Sequence, residues 1–199
     1  MVLSEETTVA REALPLAELR DHLRLGTGFA EDGLQDGLLE SYLRAALAAI
    51  EARIGKALLA RRFQWSLDDW RDPVAQALPV APVRAIEAIE LVDAGGGVVT
   101  VDPARYRLAE DAHRPRLAAR GMLLPTVPAD GQVRVRFEAG FGPDWTDVPV
   151  DLRQAVILLA GEFYERRSEM GLRESGLSFG VMALIEKWRT VRVLGGGTA

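Results

Sequence analysis

The chain has 199 residues, with 48% apolar and 27% charged side chains and a formal net charge of −5. A chain this long buries about 70% of the surface its unfolded form exposes, so it needs no covalent staple; it has no cysteine, which excludes disulfides, thiolate metal sites and a Cys nucleophile. The acidic balance argues against sequence-independent DNA binding, and no run approaches the ~18 apolar residues of a membrane-spanning helix, so no membrane partner is expected.

The opening MVLSEETTVAREALPL is acidic and lacks an apolar stretch, unlike a secretory leader. Residues 1–13 are expected to form a flexible N-terminal arm. Pro15 then opens a short helix over 15–25, with Leu16, Leu19 and Leu23 on one face. The linker GTGFAEDG leads to the strongest helix, expected over 36–55. There Leu39, Tyr42, Leu43, Ala46, Leu47, Ile50 and Ile54 recur at three- and four-residue steps. Gly55 is placed to stop it.

The period then changes to two. Phe63, Trp65 and Leu67 alternate with polar neighbours in RRFQWSLDDW, which predicts a strand. IEAIELVDAGGGVVTV predicts two strands joined by a glycine turn at Gly95–Gly97. YRLAED and RPRLAARG read as short edge strands. In GQVRVRFEAGFG, Val133, Val135 and Phe137 oppose Arg134, Arg136 and Glu138, a half-buried antiparallel strand. Helical spacing returns over 150–167, with Leu152, Ala155, Val156, Leu159, Ala160, Phe163 and Tyr164 as a wide stripe, and again over 181–193, with Val181, Leu184, Ile185 and Trp188 inward. The tail 195–199 is expected to be disordered. The fold class is therefore α+β: a helical bundle core of about four helices with a central antiparallel β insert over about 61–141, the whole forming one domain over 14–194.

Residues suited to chemistry are sparse. His22 and His113 have no metal-spaced partners and read as surface residues. Asp68 and Asp69 are strand neighbours pointing to opposite faces. Asp144 and Asp147 suit capping of free N–H groups. The Gly95–Gly97 run lacks the Lys, Ser or Thr and the following helix of a phosphate loop. No catalytic, cofactor-binding or metal-binding residue is assigned and no cofactor is expected. Trp188, with Lys187, Arg189 and Arg192, has the aromatic–basic composition favoured at protein interfaces, while its helical spacing fits a core position equally well.

PLAELRDHLRL, AAIEARIGKALLARRFQW, PVRAIEAIELVDAGGGVVTVDPARYRL, VRVRFEAGFGPDWTDVP and DLRQAVILLAGEFYERR, in that order, resemble the phage head–tail connector (adaptor) family over about residues 14–190. Within it, the Ala-, Arg- and Leu-rich composition is similar to that of connectors in alphaproteobacterial gene transfer agents. The resemblance implies a structural subunit and no enzyme. Such subunits form a ring of about twelve copies between the capsid portal and the tail or stopper, and the ring passes double-stranded DNA without specific binding. It implies cytoplasmic assembly and a final place at the head–tail junction. It also implies portal contact through Leu184, Trp188, Arg189 and Arg192. The alanine-widened face of the long helix, at Ala45, Ala49 and Ala52, is expected to meet the neighbouring subunit. The alternatives are a non-ring tail-completion or assembly-binding module, and a small hydrolase-type enzyme built on Asp68, Asp69, Asp102 and Tyr106.

Overall fold

The computed structural model describes residues 1–25, 32–166 and 176–189. Among these, the helices are α1 (Leu16–His22), α2 (Asp32–Ile54), α3 (Val150–Glu165) and α4 (Phe179–Ile185). The strands are β1 (Val2–Glu5), β2 (Arg61–Leu67), β3 (Ala75–Ala77), β4 (Val83–Val92), β5 (Val98–Thr100), β6 (Tyr106–Ala109), β7 (Arg116–Ala119) and β8 (Gln132–Ala139). They form two antiparallel sheets, one ordered β1–β2–β8–β4–β5 and one ordered β3–β7–β6.

Each module has its own core. Leu39, Leu43, Ala46, Ile50 and Ile54 of α2 meet Leu152, Ala155, Val156, Leu159 and Ala160 of α3, with Leu19 of α1 and Val181 and Ile185 of α4 closing the bundle. Phe63, Trp65 and Leu67 of β2 and Val133, Val135 and Phe137 of β8 line the β core, with Phe63 and Phe137 stacked at 5.5 Å. The period-3.6 and period-2 patterns are what bury these sets, because each puts its apolar residues on one face.

The modules are joined along residues 56–60. Lys56, Ala57, Leu58 and Leu59 are all buried; Ala57 belongs to the β core and Leu58 and Leu59 to the helical one. Gly55 lets the chain leave α2 at φ +69°. The Ala57 N–H donates to the Ala81 carbonyl (2.9 Å) and the Ala60 N–H to the Gly142 carbonyl (2.8 Å), while the Phe141 N–H donates to Leu58 (3.1 Å). Gly140, at φ +135°, passes so close that a Cβ there would lie 2.5 Å from the Ala60 backbone.

A buried ion pair closes the junction. Arg61, its side chain 8% exposed, makes two hydrogen bonds to Glu51, at 2.9 and 2.7 Å. It makes a third to Glu5, and its guanidinium lies 5.1 Å from the Phe63 ring centre. Glu51 also accepts the Leu58 N–H at 2.7 Å. Burial opposes the charged guanidinium, but the hydrogen bonds to Glu51 and Glu5 outweigh it and hold the pKa above its ordinary value.

Several boundaries differ from the sequence reading. Within the arm expected over 1–13, residues 2–5 form β1, an edge strand paired with β2, and 11–13 form a 3-10 turn. The long helix starts at Asp32, inside the stretch read as linker. RPRLAARG is not an edge strand: β7 is central, because β3 pairs with its other side. The last helix starts at Phe179, where Ser178 caps it, and passes after Ile185 into a 3-10 turn over Glu186–Trp188. The expected tail 195–199, and the helical expectation over 190–193, lie outside the described residues.

Removing Arg61 strands the Glu51 charge in a buried site. Arg61→Ala is expected to cost about 3–5 kcal/mol in denaturant unfolding. The pair Glu51→Gln with Arg61→Met removes both charges yet keeps an acceptor for the Leu58 N–H, and is expected to cost less than half as much. Equal losses would show that the pair's charges do not matter.

Candidate assembly surfaces

The aromatic–basic end of the chain is engaged within the molecule. Asp151, in the first turn of α3, accepts from the Trp188 indole at 2.7 Å and from Lys187 at 2.8 Å. A carboxylate there also meets the positive end of the helix dipole. Burial pushes the Asp151 pKa up, but the Lys187 and Trp188 donors dominate and hold it below the usual carboxylate value. The Trp188 ring meets Phe141 edge-on at 5.4 Å and stacks with His113 at 6.4 Å. The Lys187 ammonium lies 5.0 Å from its centre.

Thus the loop around 111–115 of the β module reaches the helical module. The same loop receives Lys56, 2% exposed, whose Nζ donates to the Ala112 carbonyl at 2.5 Å. Burial lowers the Lys56 pKa, with Asp111 opposing. The Asp111 carboxylate is held low by the N–H groups of His113 and Arg114.

The residues expected at a portal therefore divide. Trp188 is half-buried and hydrogen-bonded inward, and Leu184 packs against the helical core. Arg189 turns outward to pair with Glu186 at 3.0 Å. Arg192 lies outside the described residues.

The alanine face of α2 is open. Ala45, Ala48 and Ala52 are exposed and Ala49 is half-buried. Beside it, a groove of about 760 Å³ runs between α2, α3 and the start of α4, floored by Ala49, Leu159, Phe163 and Met182 and rimmed by Arg53 and Glu162. A smaller hollow of about 280 Å³ continues past Ala48 and Ala52 to Leu3 and Lys56. Ala52 lines both.

The residues of the enzyme alternative have local duties. Asp68 is exposed and faces the N-terminal ammonium at 3.7 Å, and Asp69 accepts the Trp70 N–H. Asp102 caps the turn before β6 by accepting from Ala104. Tyr106 is buried in the β core, its pKa raised by burial and by Asp102. Asp144 and Asp147 tie off a 3-10 turn, not α3 itself. His22 and His113 are exposed. Among the described residues, no group of three or more His, Cys, Asp or Glu side chains is placed to hold a metal ion, and no helix is long and apolar enough to cross a membrane. Sequence reasoning passed over Glu51, Lys56 and Arg61. The one available signal was that Lys56 and Arg61 flank the apolar run ALLA.

Trp188→Ala is expected to destabilise the chain by roughly 2–4 kcal/mol, since a half-buried ring is lost. Trp188→Phe, which loses chiefly the Asp151 hydrogen bond, is expected to cost about 1 kcal/mol. Because Asp151 has a folded pKa below its unfolded value of about 3.9, its contribution holds above that value and is lost as pH falls through the folded one. Asp151→Asn is therefore expected to shrink the difference in Tm between pH 6 and pH 3. An unchanged difference would place the acid sensitivity elsewhere.

No protein-family model matches the chain. No curated protein matches it either. Solved structures do. A chain in the neck of an empty gene transfer agent particle, computed with C6 symmetry, is 54% identical, with a TM-score of 0.88 over 98% of this chain and 99% of that one. A chain in the virion of a native gene transfer agent particle is 54% identical, with a TM-score of 0.85 and the same coverage. A chain in the neck of the native particle, computed with C12 symmetry, is 50% identical, with a TM-score of 0.83 and again 98% and 99% coverage. A likeness that spans both modules at this identity carries the family with it: the chain is a structural component and no enzyme, and it belongs to the head–tail connector family, among the neck proteins of gene transfer agent particles.

Proposed function

We propose that this chain is the adaptor subunit of the neck: copies close into a ring of about twelve beneath the portal, receive the stopper or tail-completion protein below, and leave a central passage for double-stranded DNA. The observation that carries this reading is the end-to-end likeness to a neck chain solved with C12 symmetry. A closed ring of identical copies needs two different faces that fit each other. The exposed alanine face of α2 supplies one candidate, since small side chains let a neighbour approach closely. Ala45, Ala49 and Ala52 are its inter-subunit residues in this reading. The net charge of −5 suits a passage from which DNA is repelled.

Portal contact falls to the end of the chain, from Leu184 through Trp188 and Arg189 to Arg192. In this division Trp188 holds the segment against Asp151, Arg189 faces outward, and Arg189 and Arg192 are the residues assigned to the portal. The subunit assembles in the cytoplasm and ends at the head–tail junction of the particle. Residues 14–194 act in this as one connector domain.

Reconstruction of the neck from particles made with this chain tests the reading. The expected result is a twelve-fold ring of it against the portal; a position elsewhere in the particle overturns it. Ala52→Glu tests the α2 face. Glutamate is a good helix former at an exposed site, so stability is expected to change by less than about 0.5 kcal/mol. Ring occupancy in the particles is expected to fall sharply. Full occupancy would remove α2 from the interface.

A further inference from the structure

We propose that neighbouring copies continue the large sheet across their boundary, with β5 of one copy beside β1 of the next. This rests on the ring reading and names a second contact within it, made by sheet edges and not by helix faces. Both outer strands are open. All four residues of β1 and all three of β5 are exposed, including Val2 at 65%, Leu3 at 41%, Val98 at 52% and Val99 at 65%. An open edge presents unpaired N–H and C=O groups, and proteins blunt it with very short strands, charges, Pro, a bulge or a covering element. β1 (VLSE) and β5 (VVT) are short, but they contain no Lys or Pro, and the one charge, Glu5, is drawn inward to Arg61. Among the described residues, no side chain hydrogen-bonds to the backbone of either.

The rest of the β module is protected. On the small sheet, the buried Gln76 amide donates to the Ala77 carbonyl of β3 at 2.9 Å and accepts from the Arg71 N–H at 2.8 Å. Arg120 donates to the Tyr106 carbonyl of β6 at 2.9 Å. The part of β4 that extends beyond β5 breaks register twice, between Val83 and Ala85 and between Ile86 and Ala88, and such bulges twist an edge away from partners. The two unguarded edges are thus the two ends of one sheet.

That placement selects a second copy as the occupant. Two different edges on opposite sides of one module form a heterologous pair, which a rotation repeats and closes. The neck chains this one resembles were solved with cyclic symmetry. The direction follows too. Every neighbour in the five-stranded sheet is antiparallel, so β1 and β5 run the same way. A rotation does not invert the strands, so β5 meets the next β1 in parallel, with slanted, evenly spaced hydrogen bonds.

The chain has no cysteine, so introduced thiols are unique reporters. Particles carrying full-length chain with Val2→Cys and Val99→Cys are treated with a short bismaleimide and run on a denaturing gel. Ser4→Cys with Thr100→Cys is a second pair on the same edges. Most of the chain is expected to move into a ladder above dimer with at least one pair, and none with any single variant, whose neighbour carries its one thiol on the edge that faces away. A twelve-fold ring visible in the particles without a ladder from either pair overturns the edge contact and leaves the ring reading standing. Dimers from Val2→Cys or Val99→Cys alone would mean that like edges meet, which also overturns it. Particles in which the chain forms no ring overturn the ring reading itself.

Discussion

Peptide groups buried between two hydrophobic cores must find partners or forfeit the hydration they left. Residues 56–60 are held to that requirement, since four of the five are buried and the cores lie on either side. The Leu58 N–H finds Glu51, and the Ala57 and Ala60 N–H groups and the Leu58 carbonyl find partners in two remote stretches, around Ala81 and around Gly142. Helical bundle, β module and the loops between them are positioned by that set of bonds. Gly140 is needed there because only a residue without a Cβ fits against Ala60 at φ +135°.

Charge reinforces the same junction. Glu51 and Arg61 stand at the end of α2 and the start of β2, so their pairing fixes the angle at which the chain changes period. Lys56 is neighbour to both in sequence but reaches the other way, to the loop at Ala112. That loop in turn stacks His113 on Trp188, which is fastened to Asp151. The end of α4 therefore registers the position of the β module through a short chain of contacts, although far from it in sequence.

Periodicity carried much of this. The α2 and α3 stripes and the Phe63–Trp65–Leu67 and Val133–Val135–Phe137 alternations were readable because each element buries one face on its own core. β1 was not, since its four residues are all exposed and carry no alternation. β3 is three residues between prolines, and only its pairing with β7 makes it a strand. The breadth of the α2 apolar surface was visible in Ala45, Ala49 and Ala52, yet which alanines remain open depends on α3 and α4. Helical spacing left Trp188 equally suited to core or interface. Its hydrogen-bond partner is 37 residues away, and local pattern does not encode such a partner.

Apart from β1, the chain enters the β module at Arg61 and leaves it at Ala139, and the Ala60 N–H bonds to Gly142 across that doorway. The two ends of the cassette thus stand side by side. Turns remote from the doorway, such as Gly95–Gly97, can change length without moving those ends, whereas the loop at 111–115 is held by Lys56 and Trp188.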